Sequence, residues 1–484
     1  MIPVATVLWY GGGPARLTPA DWSALWFTIW QALLSAALSV TLATPIARAL
    51  SRRAFLGRAT LITLMGAPFI LPVIVAILGL LAVFGGNGIV NRLFTPLGLP
   101  RLDIYGYHGV ILAHVFFNLP LAVRMILQGW LALPAERFRL AASLGKPVWR
   151  VLEAPMLWRV LPGAFAVIFI ICIGSFAVAL TLGGGPKATT VELAIYQAFR
   201  FDFDLGKAAT LAIVQLCLGL SAGFAALKLT HQTGFGTGLD RQVQRWDGQA
   251  THAKILDVLW ILVGTLFLVT PLLAIASAGF TGLVYLPAEV WLAAIRSLSM
   301  ALATTLLTIG LSWSLLHRGG EVASLLGISV SGLVLGTGMF LLFQPIVRPA
   351  AIALPVTVMI NALMALPFVL RILAPAARDA RQDFGHLADM LSLSGFAQFR
   401  IVYLPRLRRP LGFAAGLTAA LSMGDLGVIA LFSDGQNATL PLQVYRLMNS
   451  YQIETARAAA LLLLMLSLGL FWLCDKGGRM RVAS

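Results

Sequence analysis

The sequence predicts an all-α integral membrane protein made of two tandem repeats, with about 11 transmembrane helices, or about 12 if the true start lies upstream. Three observations predict it. Of 484 residues, 59% are hydrophobic and only 11% are charged, and the mean hydropathy is +0.88. A soluble chain of this length could not bury so much apolar surface. Many apolar runs reach about 20 residues, enough for a helix to cross ~30 Å of hydrocarbon. Lipid offers no partner to unpaired backbone groups, so these runs are expected to be helices. Finally, a basic amphipathic segment between apolar runs, Pro134 to Gly163, has a second version at Asp383 to Gly412.

The first span is expected at about Trp22–Leu50 and ends among Arg48, Arg52, Arg53 and Arg58. Such clusters mark the cytoplasmic side. The second, about Ala59–Phe84, carries Pro68 and Pro72, which kink a helix where neighbours can satisfy the freed carbonyls. The third, about His108–Leu133, leads into the first basic segment. The fourth, about Leu161–Leu182, stops at Gly183-Gly184-Gly185-Pro186. A short interfacial helix is expected over Thr189–Arg200, then a fifth span near Ala208–Thr230.

A polar, Gly-rich linker follows at His231 to Lys254. The chain therefore divides into a first half, 1–232, with a cytoplasmic loop at 134–160; a linker, 233–254; and a second half, 255–484, with a loop at 378–410. Six spans are expected in the second half: about Ile255–Gly279, Ala293–Leu316, Val322–Phe343, Ala350–Leu373, Leu411–Phe432 and Ala456–Cys474. Most Lys and Arg fall on the side of the two basic loops, which places the C-terminus, with Lys476, Arg479 and Arg481, in the cytoplasm. The same bias explains a net charge of +16 without nucleic acid.

The halves repeat residue by residue. Leu119-Pro120 and Arg124 match Leu366-Pro367 and Arg371; Arg150, Pro155 and Arg159 match Arg400, Pro405 and Arg409; Gly174 matches Gly424. In both loops a glycine precedes a proline by ten positions, Gly145 to Pro155 and Gly395 to Pro405. The span near Ile255–Gly279 has no full counterpart, because Met1–Tyr10 is too short. The apolar faces around Leu144, Val148 and Trp149, and around Leu393, Phe396 and Phe399, fit a partner's groove better than water.

These loops resemble the cytoplasmic "EAA" loops of bacterial ABC importer permeases, although Arg139-Leu140-Ala141 stands where that family has Glu-Ala-Ala. The resemblance makes each half an ABC-importer permease (MetI-like) repeat and the chain a fused permease. It implies coupling to ATPase subunits through Leu144, Gly145, Trp149, Arg150 and Pro155, and through Leu393, Gly395, Phe399, Arg400 and Pro405. The stretches His114–Pro120, Leu182–Thr190 with Glu192–Gln197, and Gly424–Phe432 resemble the thiamine importer permeases. That likeness runs from Trp26 to Leu473. It implies a bacterial inner-membrane subunit moving thiamine, or its phosphates, into the cytoplasm by alternating access. It also implies twelve spans, a homodimeric ABC ATPase and a periplasmic thiamine-binding protein. The alternative within transport is a fused ferric iron permease.

The chain itself is not expected to be an enzyme. It has no GxxxxGK[ST] phosphate loop, and Gly183–Lys187 lacks the following Ser or Thr. No metal or cofactor motif stands out; Cys172, Cys217 and Cys474 are scattered through apolar stretches. For the substrate pathway the candidates are Asn118, Ser175, Asn361 and Asp425. Asp425 is an intramembrane acid with two readings, a counter-charge to the thiazolium or a paired structural group beside a helix bend. Asn118 and Asn361 either line the pathway or join helices by hydrogen bonds.

Overall fold

The computed structural model describes residues 2–10, 17–66, 70–183, 185, 188–229, 248–316, 330–393, 395–433 and 437–479. The first part of the chain forms α1 (Ile2–Tyr10), α2 (Pro19–Arg52), α3 (Arg58–Leu64), α4 (Val73–Phe84), α5 (Ile89–Phe94) and α6 (Tyr107–Leu131). Then come α7 (Ala135–Ser143), α8 (Ala154–Ile173), α9 (Phe176–Leu182), α10 (Val191–Arg200) and α11 (Leu205–Leu229). The second part forms α12 (Thr251–Phe280), α13 (Ala288–Leu316), α14 (Gly332–Phe343), α15 (Ala353–Met390) and α16 (Gly395–Gln398). It ends with α17 (Leu404–Met423), α18 (Gly427–Phe432), α19 (Leu440–Asn449) and α20 (Ile453–Arg479).

Among the described residues, ten helical stretches are long and apolar enough to cross a membrane. The span expected at Val322–Phe343 is represented by the 12-residue α14; its first part, like linker residues 233–247, lies outside the described residues. Several expected spans have different bounds. The one over Ala59–Phe84 is broken, with α4 starting after Pro72. Those over Leu161–Leu182 and Leu411–Phe432 start earlier, at Ala154 and Leu404, and break at Gly174-Ser175 and Gly424-Asp425. The one over Ala350–Leu373 continues through Pro375 to Met390, so the first part of the 378–410 loop is an extension of α15.

Small and hydroxyl side chains bring the helices together, as they must where lipid removes any hydrophobic drive between helices. On α2, Thr28, Ala32, Ser35, Ala36, Ser39 and Ala43 face inward. Trp22, Trp26 and Trp30 lie exposed on its other side, one turn apart toward its N-terminal end. Hydroxyls among them bond locally and across: Thr28 Oγ1 donates to Ala24 O and accepts from Val191 N at 2.9 Å. The matching bond in the second half is Leu440 N to Ser297 Oγ at 2.8 Å. α10 and α19 are thereby hung from α2 and α13 at equivalent places.

The halves exchange helices at their seam. α4 packs on α12 and α20, and α14 packs on α1 and α11. A Cβ at Gly79 of α4 would come within 2.6 Å of the Pro271 carbonyl of α12; one at Gly338 of α14 would run into the Pro3 carbonyl of α1. Each glycine is the seventh residue of its helix. α1 thus lies where the last third of α12 lies in the other half, and supplies a counterpart that its length alone conceals.

Candidate functional site

Both loops enter their membrane helix through a π-helical turn, Trp149–Glu153 and Phe399–Tyr403. A proline follows each turn and favours the wider ladder. Pro155 and Pro405 have no N–H, and their rings clash with the carbonyl four residues back. The ladder widens instead, with Ala154 N bonding Trp149 O and Leu404 N bonding Phe399 O.

The turns before them differ. In the first loop α7 ends in a Schellman-type cap, Lys146 N to Ala141 O at 3.0 Å, with Gly145 at φ 59°. In the second, the residue playing that part is Ser392, at φ 51°, with Leu393 N to Ala388 O at 2.9 Å. Gly395 follows three positions later at φ 55°. The matched glycines therefore both adopt a left-handed conformation, but only Gly145 caps the preceding helix.

The anchoring of the two turns differs as well. In the first, Glu153 is wholly buried. It accepts from Trp130 Nε1 at 3.1 Å and pairs with Arg48 at 2.6 Å and, more loosely, with Arg52 at 3.9 Å. Arg48 also lies over the Trp149 ring, 5.1 Å from its centroid. Arg52 and Arg53 then reach Asp257 of α12, at 3.9 and 2.7 Å, and Arg53 donates to Gly248 O. In the second loop Tyr403 holds the place of Glu153. Trp313 of α13 sits edge-on to both Phe399 and Tyr403, at 4.5 and 5.5 Å, and Arg406 lies over Phe384.

Exposed apolar groups remain on both loops. Leu144 and Trp149 are joined by Leu140 and Val151 in the first. In the second the expected face changes. Leu393 and Phe399 are half-buried against Val402, Tyr403 and Trp313, while Leu387, Met390, Leu391 and Ile401 are exposed. The Phe396 side chain lies outside the described residues. Arg150, Pro155, Arg400 and Pro405 are exposed.

In the interior, each half is polar at its helix break. At Gly174-Ser175 the carbonyls freed from α8 are taken by amide side chains: Gln31 Nε2 donates to Cys172 O at 2.9 Å and Gln215 Nε2 to Ile173 O at 3.1 Å. Ser175 Oγ is 2.6 Å from His114 Nε2, and Ser35 lies on the other ring nitrogen. Asn118 donates to His114 O and to Cys172 Sγ. In the second half Asn361 donates to Ser422, which donates to Thr304. The Asp425 carboxylate accepts from Asn361 and from the backbone N–H groups of Gly427, Val428 and Ile429, at the start of α18. These bonds tie Asp425 to the start of α18, while its Oδ2 is buried without a hydrogen-bond partner. Asn118 and Asn361 both bridge helices.

The sequence alone gives no role to the buried acids Asp21, Glu153, Glu192 and Asp257. Glu192 of α10, expected at an outer interface, is 2% exposed, beside Gly174 at the seam. Its signals in the sequence are its place in the Glu192–Gln197 stretch and Pro441 at the matching position of α19.

Two membrane halves, each with a polar helix break and a loop that enters its helix through a π turn, define the permease subunit of a transporter, fused into one chain. No family model matches the chain. It is 39% identical over 450 residues to the thiamine transport system permease protein ThiP of Salmonella typhimurium, covering 89% of this chain and 84% of that protein. The Escherichia coli protein of that name is 39% identical over 454 residues, with the same coverage, and that of Brucella abortus 37% identical over 90% of this chain and 83% of its own. The chain belongs to the family of thiamine transport system permease proteins. It is a multi-pass membrane protein.

Proposed function

We propose that this chain is the membrane-spanning subunit of an ABC importer that carries thiamine, or its phosphates, from periplasm to cytoplasm. Residues 1–232 and 255–484 are its two permease halves. A pair of identical ATPase subunits takes the two loops, and a periplasmic thiamine-binding protein delivers substrate from the other side. The chain lies in the bacterial inner membrane with its C-terminus in the cytoplasm.

The observation that carries this reading is likeness over more than four fifths of full-length relatives named for thiamine transport. The exposed apolar groups beside each π turn support the docking part, since a soluble groove can cover them. ATP-driven closure of the ATPases draws the loops together and opens the seam outward; hydrolysis resets it. The conducting residues we place at the two helix breaks, with Asn118, Ser175 and Asn361 lining the path and Asp425 fixing its shape. None of the relatives reported above is named for iron.

The test is uptake of labelled thiamine in a bacterium that requires thiamine and lacks its own importer. The chain is supplied with its neighbouring ATPase and binding protein, with labelled ferric iron as control. Thiamine uptake that depends on ATP is expected. Iron uptake without thiamine uptake would overturn the substrate and keep the architecture.

A further inference from the structure

Glu192 is a buried carboxyl whose counterpart in the other half is not an acid. It occupies the second position of α10, where only 2% of it reaches solvent. Burying such a group is costly, and in the membrane interior an acid is rarely kept without a use. The matching position of α19 is Pro441, so an apolar residue serves the same helix in the other half.

Its partners lie on both sides of the seam. Gln215 of α11 donates to its Oε1 at 3.4 Å. Ser331, which caps α14 in the second half, also bonds the carboxylate. The Ser331 hydroxyl accepts from Leu333 N at 3.1 Å as well, so it belongs to the second half's frame. α10 further touches α9 and, across the seam, α18. A hydrogen bond between halves must break when they part, and the carboxylate then faces the opening.

The surroundings suit a flat cationic ring. Tyr196 lies one turn along α10 from Glu192, on the same face. Phe176 meets Tyr196 edge-on, with ring centroids 5.3 Å apart, and reaches Gly427 of the second half. Gly174 leaves space beside Glu192: a Cβ there would stand 3.8 Å from Oε1. Asp425, the other buried acid of the helix breaks, accepts from the start of α18 and keeps its Oδ2 without a hydrogen-bond partner.

We infer that Glu192 is the group that recognises the positive charge of the substrate when the seam opens, with Phe176 and Tyr196 flanking the ring. The inference rests on the thiamine reading above. Closed, Ser331 and Gln215 hold the carboxylate; open, the thiazolium replaces Ser331 as its partner.

The experiment uses the permease in complex with an ATPase made unable to hydrolyse ATP, so that bound ATP holds the seam open. Equilibrium binding of labelled thiamine is compared with that of its neutral thiophene analogue. Glu192→Gln keeps the shape and removes the charge. It should weaken thiamine binding by about tenfold or more and change the neutral analogue by less than about twofold. Glu192→Asp should recover most of the loss, and Asp425→Asn should weaken both ligands alike. Equal loss of both ligands in Glu192→Gln, or no loss of either, would overturn the inference while leaving the function standing. A second measurement needs no variant: a carbodiimide should label Glu192 in the ATP-held complex and saturating thiamine should block it. Labelling indifferent to thiamine would also overturn it. A wild-type chain that takes up no thiamine would remove the function, and this inference with it.

Discussion

Glu153→Ala is expected to uncouple the first loop from the membrane domain. The carboxylate is buried between Arg48, Arg52 and Trp130, and its loss leaves two guanidinium groups facing each other with an indole N–H that has lost its acceptor. Breaking a buried pair from one side costs about 3–5 kcal/mol, far more than an exposed pair contributes. The effect is not local. Arg52 and Arg53 carry the same network to Asp257 on α12, the helix that crosses from the second half onto the first. Movement of the loop thus reaches both halves through this ion network as well as through helix packing. We expect Glu153→Ala to unfold at lower temperature in detergent and to lose ATP-dependent uptake while still inserting. Glu153→Tyr, which borrows the second loop's solution, should recover part of the stability. Thermal unfolding of Glu153→Ala within about 1 kcal/mol of wild type would show that packing, not the ion pairs, holds the loop.

The membrane spans and both loops could be read from the sequence because their signals are long or repeated: apolar runs in one case, matched Gly and Pro positions in the other. The π turns cannot be read from Pro155 and Pro405 alone, since Pro120, Pro162, Pro271, Pro367 and Pro410 lie inside α-helices without one. Bounds were harder. Nothing in hydropathy says that α15 runs on to Met390, because its last turns are polar and leave the membrane without a break. α1 was set aside for its length, although Pro3 and Gly338 repeat Pro271 and Gly79; that signal exists only once the helices are known to touch. Side-chain commitments were hidden altogether. The sequence places Asp425 beside a helix bend but does not show its bonds to the start of α18. Glu192 reads as the wet face of a short amphipathic helix until that helix is found packed inside the seam.

Replacing Gly145 and Gly395 together by valine should abolish recovery of the ATPase with the purified permease. Both residues have φ near +60°, where a β-carbon costs about 1–2 kcal/mol and a branched one is a clear outlier. Space is not the obstacle, since a Cβ at either position would meet nothing within 4 Å. The cost is in the backbone, and it falls where each loop turns toward its π turn. Relieving it would swing Leu144 away from Trp149 in the first loop and turn α16 in the second, so the exposed apolar groups would no longer share a face. The helices themselves keep their packing, so insertion should be normal. Ser392 gives the opposite test. It already bears a Cβ at φ 51°, in the capping role that Gly145 has in the first loop. Ser392→Gly should therefore stabilise that turn by up to about 1 kcal/mol and leave ATPase capture intact. Full ATPase recovery by the double valine variant would mean that the loops dock without these turns. Loss of capture in Ser392→Gly would mean that the hydroxyl, not the backbone conformation, is what the partner reads.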